Sequence, residues 1–402
     1  MENRFHVFPQ GVQDAICALD AHTMDDLSHD WTEAVDFYTR NRAAAKHMFG
    51  FPANPINLSP RTMSLLVMHY ASPFSNNCGD IDESASNNYA MDSKKVEKQI
   101  VALFAEKFGL GSSFWGYVTG GGSESNMCGI ELAFSKYPNG MLYYSEAAHY
   151  SIVKYAKHHP HVAVRANDDD TVNLDALFEA VRDNYAKTRA PANLVLTHGT
   201  TKLGACDDVD AIVAFLRAEG IPYYIHLDAA LFGGIPNNQL DAPLILNAKA
   251  RGIDSVCVSM HKYIGFPDVK SVFVSTSRPR GTSVQYIGQD DTTVSGSRSM
   301  PAYALYNHLR EQLFGADPND YRKNIGFFEA LLEEYGIPFR REPLSNIFLI
   351  DRPSPSVYRK FQLSCFEQAC EGVMQPKAHV IVFPSHEETD LRELALALRD
   401  DR

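Results

Sequence analysis

A lysine follows an apolar, strand-like segment near the middle of the chain. Residues Ser255 to Lys262 read Ser-Val-Cys-Val-Ser-Met-His-Lys, so His261 and Lys262 lie where the predicted strand Val256–Met260 ends. Burial disfavours the ammonium form of a lysine, lowers its pKa and leaves the amine free to attack a carbonyl carbon. The segment therefore predicts a covalent amine nucleophile at Lys262. The alternative is a solvated lysine that only ends a strand.

A glycine-rich turn lies between a predicted strand and a predicted helix. The segment Thr119-Gly-Gly-Gly-Ser-Glu-Ser-Asn126 directly follows the predicted strand Trp115–Thr119. Glycines let the backbone approach an anion closely, and the amides at a helix N-terminus favour a phosphate. The segment matches neither the dinucleotide-binding pattern nor the P-loop pattern. It indicates either a phosphate site of another kind or a tight structural turn.

A carboxylate ends another apolar strand. Asp228 lies in the segment His226-Leu-Asp-Ala-Ala230, at the end of the predicted strand Tyr223–Asp228. A carboxylate in that position needs a cation or a strong hydrogen-bond donor as its partner. A protonated pyridine nitrogen is one such partner, and the alternative is an ordinary helix cap.

An imidazole and two hydroxyls follow two further predicted strands. His149 comes shortly after Met141–Ser145, and its ring has the shape to lie flat against a heteroaromatic ring, although a lone histidine is more often structural. Thr201 belongs to Gly199-Thr-Thr201, which follows the predicted strand Leu194–Thr197. Such a turn is common and taken alone is weak evidence for a site.

These features share one position, the carboxyl end of a predicted strand, where open α/β sheets bind their ligands. In chain order they are a phosphate loop, an imidazole, hydroxyls, an acid and an amine. Pyridoxal 5′-phosphate (PLP) carries a phosphate, a ring nitrogen and an aldehyde that suit these groups. The sequence therefore predicts PLP as the cofactor. No metal site is predicted, because the histidines of Lys157-His-His-Pro-His161 fit no familiar ligand spacing.

Short strands alternate with helices through the middle of the chain, which predicts a mostly parallel sheet with helices on both faces. Besides the strands named above, the pattern predicts Val162–Ala166 and, as an antiparallel neighbour of the lysine strand, Val269–Ser275. One predicted helix begins at Asp92, and the others are Ser125–Ser135, Leu174–Ala186 and Val209–Ala218.

The alternation ends after Arg298. The elements predicted beyond it are the helices Tyr303–Phe314 and Asp320–Tyr335 and the strands Asn346–Ile350 and His379–Phe383. We therefore expect a smaller α+β domain to follow the large one. The predicted parts are an N-terminal arm at 1–50, a large domain at 51–315 and a small C-terminal domain at 316–402.

Composition narrows the class of protein. The 402 residues carry a net charge of −12, which does not suit a nucleic-acid-binding surface, and a hydrophobic content of 45% allows a sizeable core. Seven scattered cysteines, with no C-x-x-C pair, are typical of reduced thiols in the cytoplasm. The start shows no signal peptide, and no apolar run reaches about 18 residues. We expect a cytoplasmic protein without a membrane or nucleic-acid partner.

Taken together, these motifs resemble the group II PLP-dependent amino-acid decarboxylases, and within that group bacterial histidine decarboxylases and plant serine decarboxylases. The resemblance covers about residues 50–310 and is loose beyond them. It implies the aspartate-aminotransferase-like fold (fold type I), with a large, mostly parallel seven-stranded sheet domain. Further matching segments are Asn77-Cys-Gly-Asp80, Trp115-Gly-Tyr-Val-Thr119, Leu142-Tyr-Tyr-Ser145, His149-Tyr-Ser151 and Ser295-Gly-Ser-Arg298.

The resemblance also implies roles for the candidate residues. Lys262 attaches the cofactor, Asp228 pairs with its ring nitrogen, and His149 and Ala230 lie on opposite faces of the ring. Tyr286, on a mobile loop, donates a proton to the substrate carbon after carbon dioxide leaves; the alternative for it is a packing aromatic. A homodimer with the active site at the interface is implied as well. The remaining cofactor contacts are Gly121, Gly122, Ser123, Thr201, Ser259 and His261.

The activity that the resemblance implies is decarboxylation of an L-amino acid, with histidine to histamine as the first candidate. Serine, or another polar or noncanonical amino acid, is the second. Transamination, carbon–sulfur cleavage and a non-catalytic binding role are the weaker alternatives. The chain departs from its relatives at Gly120, at Pro267-Asp-Val-Lys-Ser271 and at Ser299-Met-Pro-Ala302. These departures leave the substrate side chain open.

Overall fold

The computed structural model describes residues 28–72, 76–81, 92–239, 246–314, 321–370 and 372–402. Several helices begin at side chains that accept a hydrogen bond from a backbone N–H of the first turn, as Ser59, Asn173 and Asp208 do. The α-helices in these ranges are α1 Ser28–Ala45, α2 Pro60–Ala71, α3 Lys94–Lys107, α4 Gly122–Lys136, α5 Tyr150–Ala156, α6 Leu174–Thr188, α7 Val209–Ala218, α8 Ala248–Arg251, α9 Ala302–Phe314, α10 Tyr321–Glu334, α11 Pro355–Lys360 and α12 Glu388–Asp400.

The strands divide between one large sheet and three smaller ones. In the same ranges they are β1 Asn77–Cys78, β2 Trp115–Thr119, β3 Met141–Ser145, β4 His161–Val164, β5 Ala192–Thr197, β6 Tyr223–Asp228, β7 Ser255–Ser259, β8 Ser271–Ser275, β9 Thr282–Val284, β10 Gln289–Asp291, β11 Ser297–Arg298, β12 Phe339–Arg340, β13 Ile347–Asp351, β14 Ser364–Cys370 and β15 Val373–Ile381.

The large sheet has seven strands in the order β2-β8-β7-β6-β5-β3-β4. Strand β8 is antiparallel to both of its neighbours, and all other neighbouring pairs are parallel. Strands β2, β5, β7 and β8 are buried at every residue, as expected for a sheet covered on both faces. The predicted α/β fold, with its mostly parallel sheet and its antiparallel strand after Lys262, is confirmed.

A close contact between α4 and β6 brings the glycine-rich turn to the strand that carries Asp228. Gly129 of α4 lies over the imidazole of His226, and a Cβ atom at Gly129 would lie 2.2 Å from Cγ of that ring. Only glycine leaves room for the imidazole at this distance, so helix and strand pack with their backbones close together. Asn126, one turn before Gly129, reaches the end of β6 as a result.

The second sheet is antiparallel, with four strands in the order β12-β13-β15-β14. Helices α10 and α12 pack in a second hydrophobic core with it, around residues such as Phe328, Phe348 and Leu394. Phe49 belongs to this core, and its carbonyl oxygen accepts a hydrogen bond from the backbone N–H of Ile381 at 2.6 Å. The chain just before the large sheet is therefore anchored to the small one.

The structure does not test the predicted division of the chain into an N-terminal arm, a large domain and a small domain. The boundary between residues 315 and 316 lies outside the described residues, as do residues 1–27 of the predicted arm, so the three-part division stays a prediction. The strand predicted at His379–Phe383 instead runs over Val373–Ile381. Residues 373–379 pair with β14, and the first half of the strand is largely exposed, so it lacks the apolar run that marks the second half. Within the described ranges, no helix is long and apolar enough to cross a bilayer.

Candidate active site

A cavity of about 590 Å³ lies at the carboxyl ends of the parallel strands β5, β6 and β7. The small sheet closes its other side through residues such as Phe366 and His379. Every predicted site residue except Tyr286 lines this cavity. Those residues are Gly121, Gly122, Ser123, His149, Thr201, Asp228, Ala230, Ser259, His261 and Lys262.

Lys262 lies in the turn that follows β7, with its amine deep in the cavity wall. The backbone carbonyl of Lys262 accepts hydrogen bonds from the N–H groups of Asn54 at 3.0 Å and Gly265 at 3.1 Å, which fix the turn. Burial lowers the pKa of the Lys262 amine, while the Asp228 carboxylate and the Cys257 thiol act in the opposite direction. The neutral amine, which is the nucleophilic form, is favoured by this burial.

Asp228 is buried at the end of β6, and each of its carboxylate oxygens accepts a hydrogen bond. Oδ2 accepts from Nδ2 of Asn126 at 2.8 Å, and Oδ1 accepts from the backbone N–H of Ala230 at 3.1 Å. The thiol of Cys257 lies 3.7 Å from Oδ1, but its single hydrogen has a nearer acceptor in Oδ1 of Asn126 at 3.3 Å. The two N–H donors therefore fix the orientation of the carboxylate, which lines the cavity as an acceptor.

His149 caps the N-terminus of α5. Its Nδ1 accepts a hydrogen bond from the backbone N–H of Ser151 at 3.3 Å, and the Ser151 hydroxyl lies 2.8 Å from the same nitrogen. Burial lowers the pKa of His149, with the charge of Lys262 adding to the effect and that of Asp228 opposing it. The ring is therefore neutral near pH 7.

The glycine-rich turn forms a narrow cradle at one end of the cavity. Gly121 has φ +139°, which other residues rarely adopt, and a Cβ atom there would lie 3.2 Å from Cγ1 of Val269. A Cβ atom at Gly122 would lie 3.1 Å from Oγ of Ser259. The N–H groups of Glu124 and Ser125 donate to the carbonyl of Gly121. Those of Gly122 and Ser123, at the very start of α4, have no acceptor within the helix and are available to an anion in this cradle.

The residues present fit PLP. The cradle suits its phosphate, the buried amine of Lys262 suits its aldehyde, and the buried carboxylate of Asp228 suits its ring nitrogen. His261, next to the cradle, has a buried Nδ1 atom without a hydrogen-bond partner in the described part of the chain. Thr201 is exposed at the edge of the cavity, and Ala230 is half-buried beside Asp228.

Tyr286 is the one predicted site residue that a single chain does not bring to the cavity. It lies in a turn between β9 and β10 and is 74% exposed. Its predicted role as a proton donor stays a prediction.

Sequence reasoning missed Asn126, Ser151 and His226, which connect the predicted residues to one another. Asn126 donates to Asp228 and to Ser151, and His226 lies 3.0 Å from Oδ1 of Asn126 through its Nε2. All three lie within the segments 119–126, 149–151 and 226–230, which also contain predicted site residues. The signal that marks Asn126 is its place one turn after Gly122, on the side of α4 that Gly129 holds against β6.

Comparison with known proteins assigns the family. Residues 99–278 match the model of the pyridoxal-dependent decarboxylase conserved domain. Serine decarboxylase 3 of Oryza sativa subsp. japonica is 34% identical over 335 residues, which are 77% of this chain and 69% of the relative. A histidine decarboxylase of Acinetobacter baumannii is 35% identical over 327 residues, which are 78% of this chain and 82% of the relative. The chain belongs to the pyridoxal-dependent decarboxylase family.

Solved structures of other decarboxylases share the fold. L-methionine decarboxylase from Streptomyces sp. 590 superposes with a TM-score of 0.76 at 21% identity, covering 100% of this chain and 98% of that chain. Tryptophan decarboxylase from Catharanthus roseus superposes with a TM-score of 0.70 at 17% identity, covering 94% and 88% of the two chains. The predicted fold type I, the predicted PLP cofactor and the predicted class of PLP-dependent amino-acid decarboxylase are confirmed for this pyridoxal-dependent decarboxylase.

Proposed function

We propose that this decarboxylase converts L-histidine to histamine and carbon dioxide, with Lys262 and Asp228 as its central residues. The observation that carries the active-site assignment is that a buried amine, a buried carboxylate and a glycine cradle line one cavity. Histidine comes first as substrate because relatives named histidine decarboxylase, from Acinetobacter baumannii and Pseudomonas entomophila, are 35% and 33% identical to this chain.

Bound PLP supplies an aldehyde that takes up an amino group and a ring that withdraws electrons from the α-carbon. The chain's residues hold and polarise that ring. Lys262 would hold the aldehyde end of the cofactor through its Nζ, and burial lowers the pKa of this amine. The Asp228 carboxylate would hold the ring nitrogen, and its negative charge would favour a proton there and so the electron-withdrawing form of the ring. His149 would orient the ring.

The residues that line the cavity favour loss of the substrate carboxylate over its retention. In the described part of the chain, no arginine side chain lines the cavity. A substrate carboxylate therefore lacks a guanidinium partner, and Lys202, the other lysine besides Lys262 that lines the cavity in this part of the chain, donates through its Nζ to Gln368 at 3.2 Å. Carbon dioxide is neutral and needs no such partner. This supports decarboxylation over transamination, the weaker alternative on the same residues.

A panel of L-amino acids tests the substrate. We expect the PLP-loaded enzyme to release carbon dioxide from histidine with the highest kcat/KM, and to produce an equal amount of histamine. Serine is the second candidate because of the rice relatives, followed by other polar or noncanonical amino acids. If carbon dioxide were released from serine alone, serine would replace histidine as the proposed substrate, and the proposed reaction, decarboxylation, would stand. Keto-acid formation without carbon dioxide would contradict decarboxylation.

We also propose a cytoplasmic homodimer whose active site lies at the interface. Phe51, Tyr150 and Val269 line the cavity and yet are 53%, 71% and 61% exposed. Large apolar side chains at the mouth of a site favour coverage by another chain, and a second copy would exclude water from the cavity. The described cysteines are free thiols, which suits the cytoplasm.

Within that dimer, we propose that Tyr286 donates the proton to the substrate carbon. Replacement of Tyr286 by phenylalanine removes the donor and keeps the ring, so we expect kcat to fall about 100-fold while KM changes little. The share of carbonyl product, which forms when the proton reaches the cofactor instead, should rise. Tyr303→Phe, at another exposed tyrosine, is the matched control. A wild-type rate and product ratio for Tyr286→Phe would remove this tyrosine from the reaction.

A further inference from the structure

Asn126 lies at the centre of a buried hydrogen-bond network below the cavity. It is 1% exposed, and its amide is fully used. Nδ2 donates to Oδ2 of Asp228 at 2.8 Å and to Oγ of Ser151 at 3.0 Å. Oδ1 accepts from Nε2 of His226 at 3.0 Å and from Sγ of Cys257 at 3.3 Å. Two donors and two acceptor sites are therefore each matched to one partner.

The orientation of this amide follows from Asp228. An ionised carboxylate can only accept hydrogen bonds, so the nitrogen of Asn126 must face it. The oxygen of Asn126 then faces His226, which must donate through Nε2. Nδ1 of His226 consequently accepts from the Ser255 hydroxyl at 2.9 Å. Burial lowers the pKa of His226 to about 4, so its ring stays neutral in this arrangement.

The other arm of the network leads to His149. The backbone N–H of Ser151 donates to Nδ1 of His149, so that nitrogen carries a lone pair. The Ser151 hydroxyl accepts from Asn126 and donates to the same Nδ1 atom. The ring is neutral, and its hydrogen therefore lies on Nε2. The amide of Asn126 thus contacts, directly or through one hydroxyl, both groups that are proposed to hold the cofactor ring.

We propose that Asn126 is a positioning residue that fixes both of these groups at once. It orients the Asp228 carboxylate so that this group would accept from the ring nitrogen, and through the Ser151 hydroxyl it supports Nδ1 of His149 as an acceptor, and so the tautomer with its hydrogen on Nε2. His226 supports Asn126 by keeping its amide in this orientation. The inference rests on the proposed placement of Asp228 at the ring nitrogen.

Replacement of Asn126 by aspartate changes the hydrogen bonds of this side chain and leaves its size almost unchanged. The aspartate keeps the shape of the side chain, but it loses both donors and places a second carboxylate where the amide lay 2.8 Å from Asp228. Two carboxylates at such a distance share a proton, so Asp228 no longer presents a full charge to the ring nitrogen. The Ser151 hydroxyl is then drawn toward the new acceptor, and Nδ1 of His149 keeps only the backbone N–H of Ser151 as its donor.

The test follows cofactor binding and the pH dependence of the band at about 420 nm that lysine-bound PLP shows. We expect Asn126→Asp to shift the pH midpoint of this band by about one unit or more and to weaken PLP binding about tenfold or more. Asn193→Asp is the matched control, because Asn193 is also buried but contacts the carbonyl of Tyr137 outside the cavity. The titratable groups whose charges interact with Asp228 in the described part of the chain are His149, His226, Cys257 and Lys262.

If Asn126→Asp does not fold, a pair of His226 variants tests the positioning role of Asn126. His226→Gln keeps a donor for Oδ1 of Asn126, and we expect it to retain the wild-type midpoint. His226→Leu removes the donor, and we expect the midpoint to shift. The same midpoint and PLP affinity in wild type, Asn126→Asp and His226→Leu would overturn the inference. Absence of the band from the wild-type enzyme would instead overturn the proposed function, and this inference with it.

Discussion

Replacement of Lys262 by alanine is expected to lower kcat at least about 1,000-fold and to abolish the band of lysine-bound PLP at about 420 nm. The reason is that Lys262 carries the buried amine at the carboxyl end of the sheet, in the cavity that the glycine cradle and Asp228 also line. The measurements are carbon dioxide release and the absorbance spectrum after reconstitution with PLP.

Lys202→Ala is the matched control, because Lys202 also lines the cavity but its Nζ donates to Gln368 at 3.2 Å. The band should survive in Lys202→Ala, since that amine is held by the small sheet. A Lys262→Ala variant that keeps both the band and the activity would remove Lys262 from its proposed role.

Asp228→Asn should lower kcat about 100-fold or more while the lysine-bound form of PLP still appears. The amide keeps the size of the side chain but loses the charge that holds the proton on the ring nitrogen. The ring then withdraws fewer electrons from the α-carbon when the carboxylate leaves. The measurement is the rate of carbon dioxide release at saturating PLP, together with the spectrum.

Asp254→Asn is the control for this substitution. Asp254 directly precedes β7 at the opposite end of the sheet, where it accepts a hydrogen bond from the backbone of Ile225 and pairs with Lys136. Its loss should affect folding stability and leave the spectrum of the PLP-loaded enzyme unchanged. Near wild-type turnover by Asp228→Asn would show that the ring nitrogen has no need of an anionic partner in this enzyme.

The sequence predicts much of the site because the geometry of a parallel sheet is simple. Lys262 follows an apolar strand and Asp228 ends one, and neighbouring parallel strands end at one edge of the sheet, so the two groups are expected to meet there. The glycine cradle is predictable for the same reason, since Gly120 and Gly121 lie between a buried strand and the helix that begins at Gly122.

Other parts of the site depend on tertiary contacts, which no local sequence pattern predicts. The role of Asn126 arises only when α4 packs against β6 at Gly129, which the chain places three residues later. Phe366 and His379 enter the cavity from the small sheet, where the resemblance to known families is loose. Tyr286 belongs to a turn that a single chain leaves away from the cavity, so its role depends on a loop movement or a second subunit.

Borohydride reduction of the PLP-loaded enzyme, followed by peptide mass spectrometry, tests the central claim most directly. Reduction fixes the cofactor to the lysine that binds it, and the labelled peptide identifies that lysine. We predict a single label on Lys262, which disappears in Lys262→Ala. A label on Lys202 or Lys270 instead, or no label on an active enzyme, would contradict the assignment of this site.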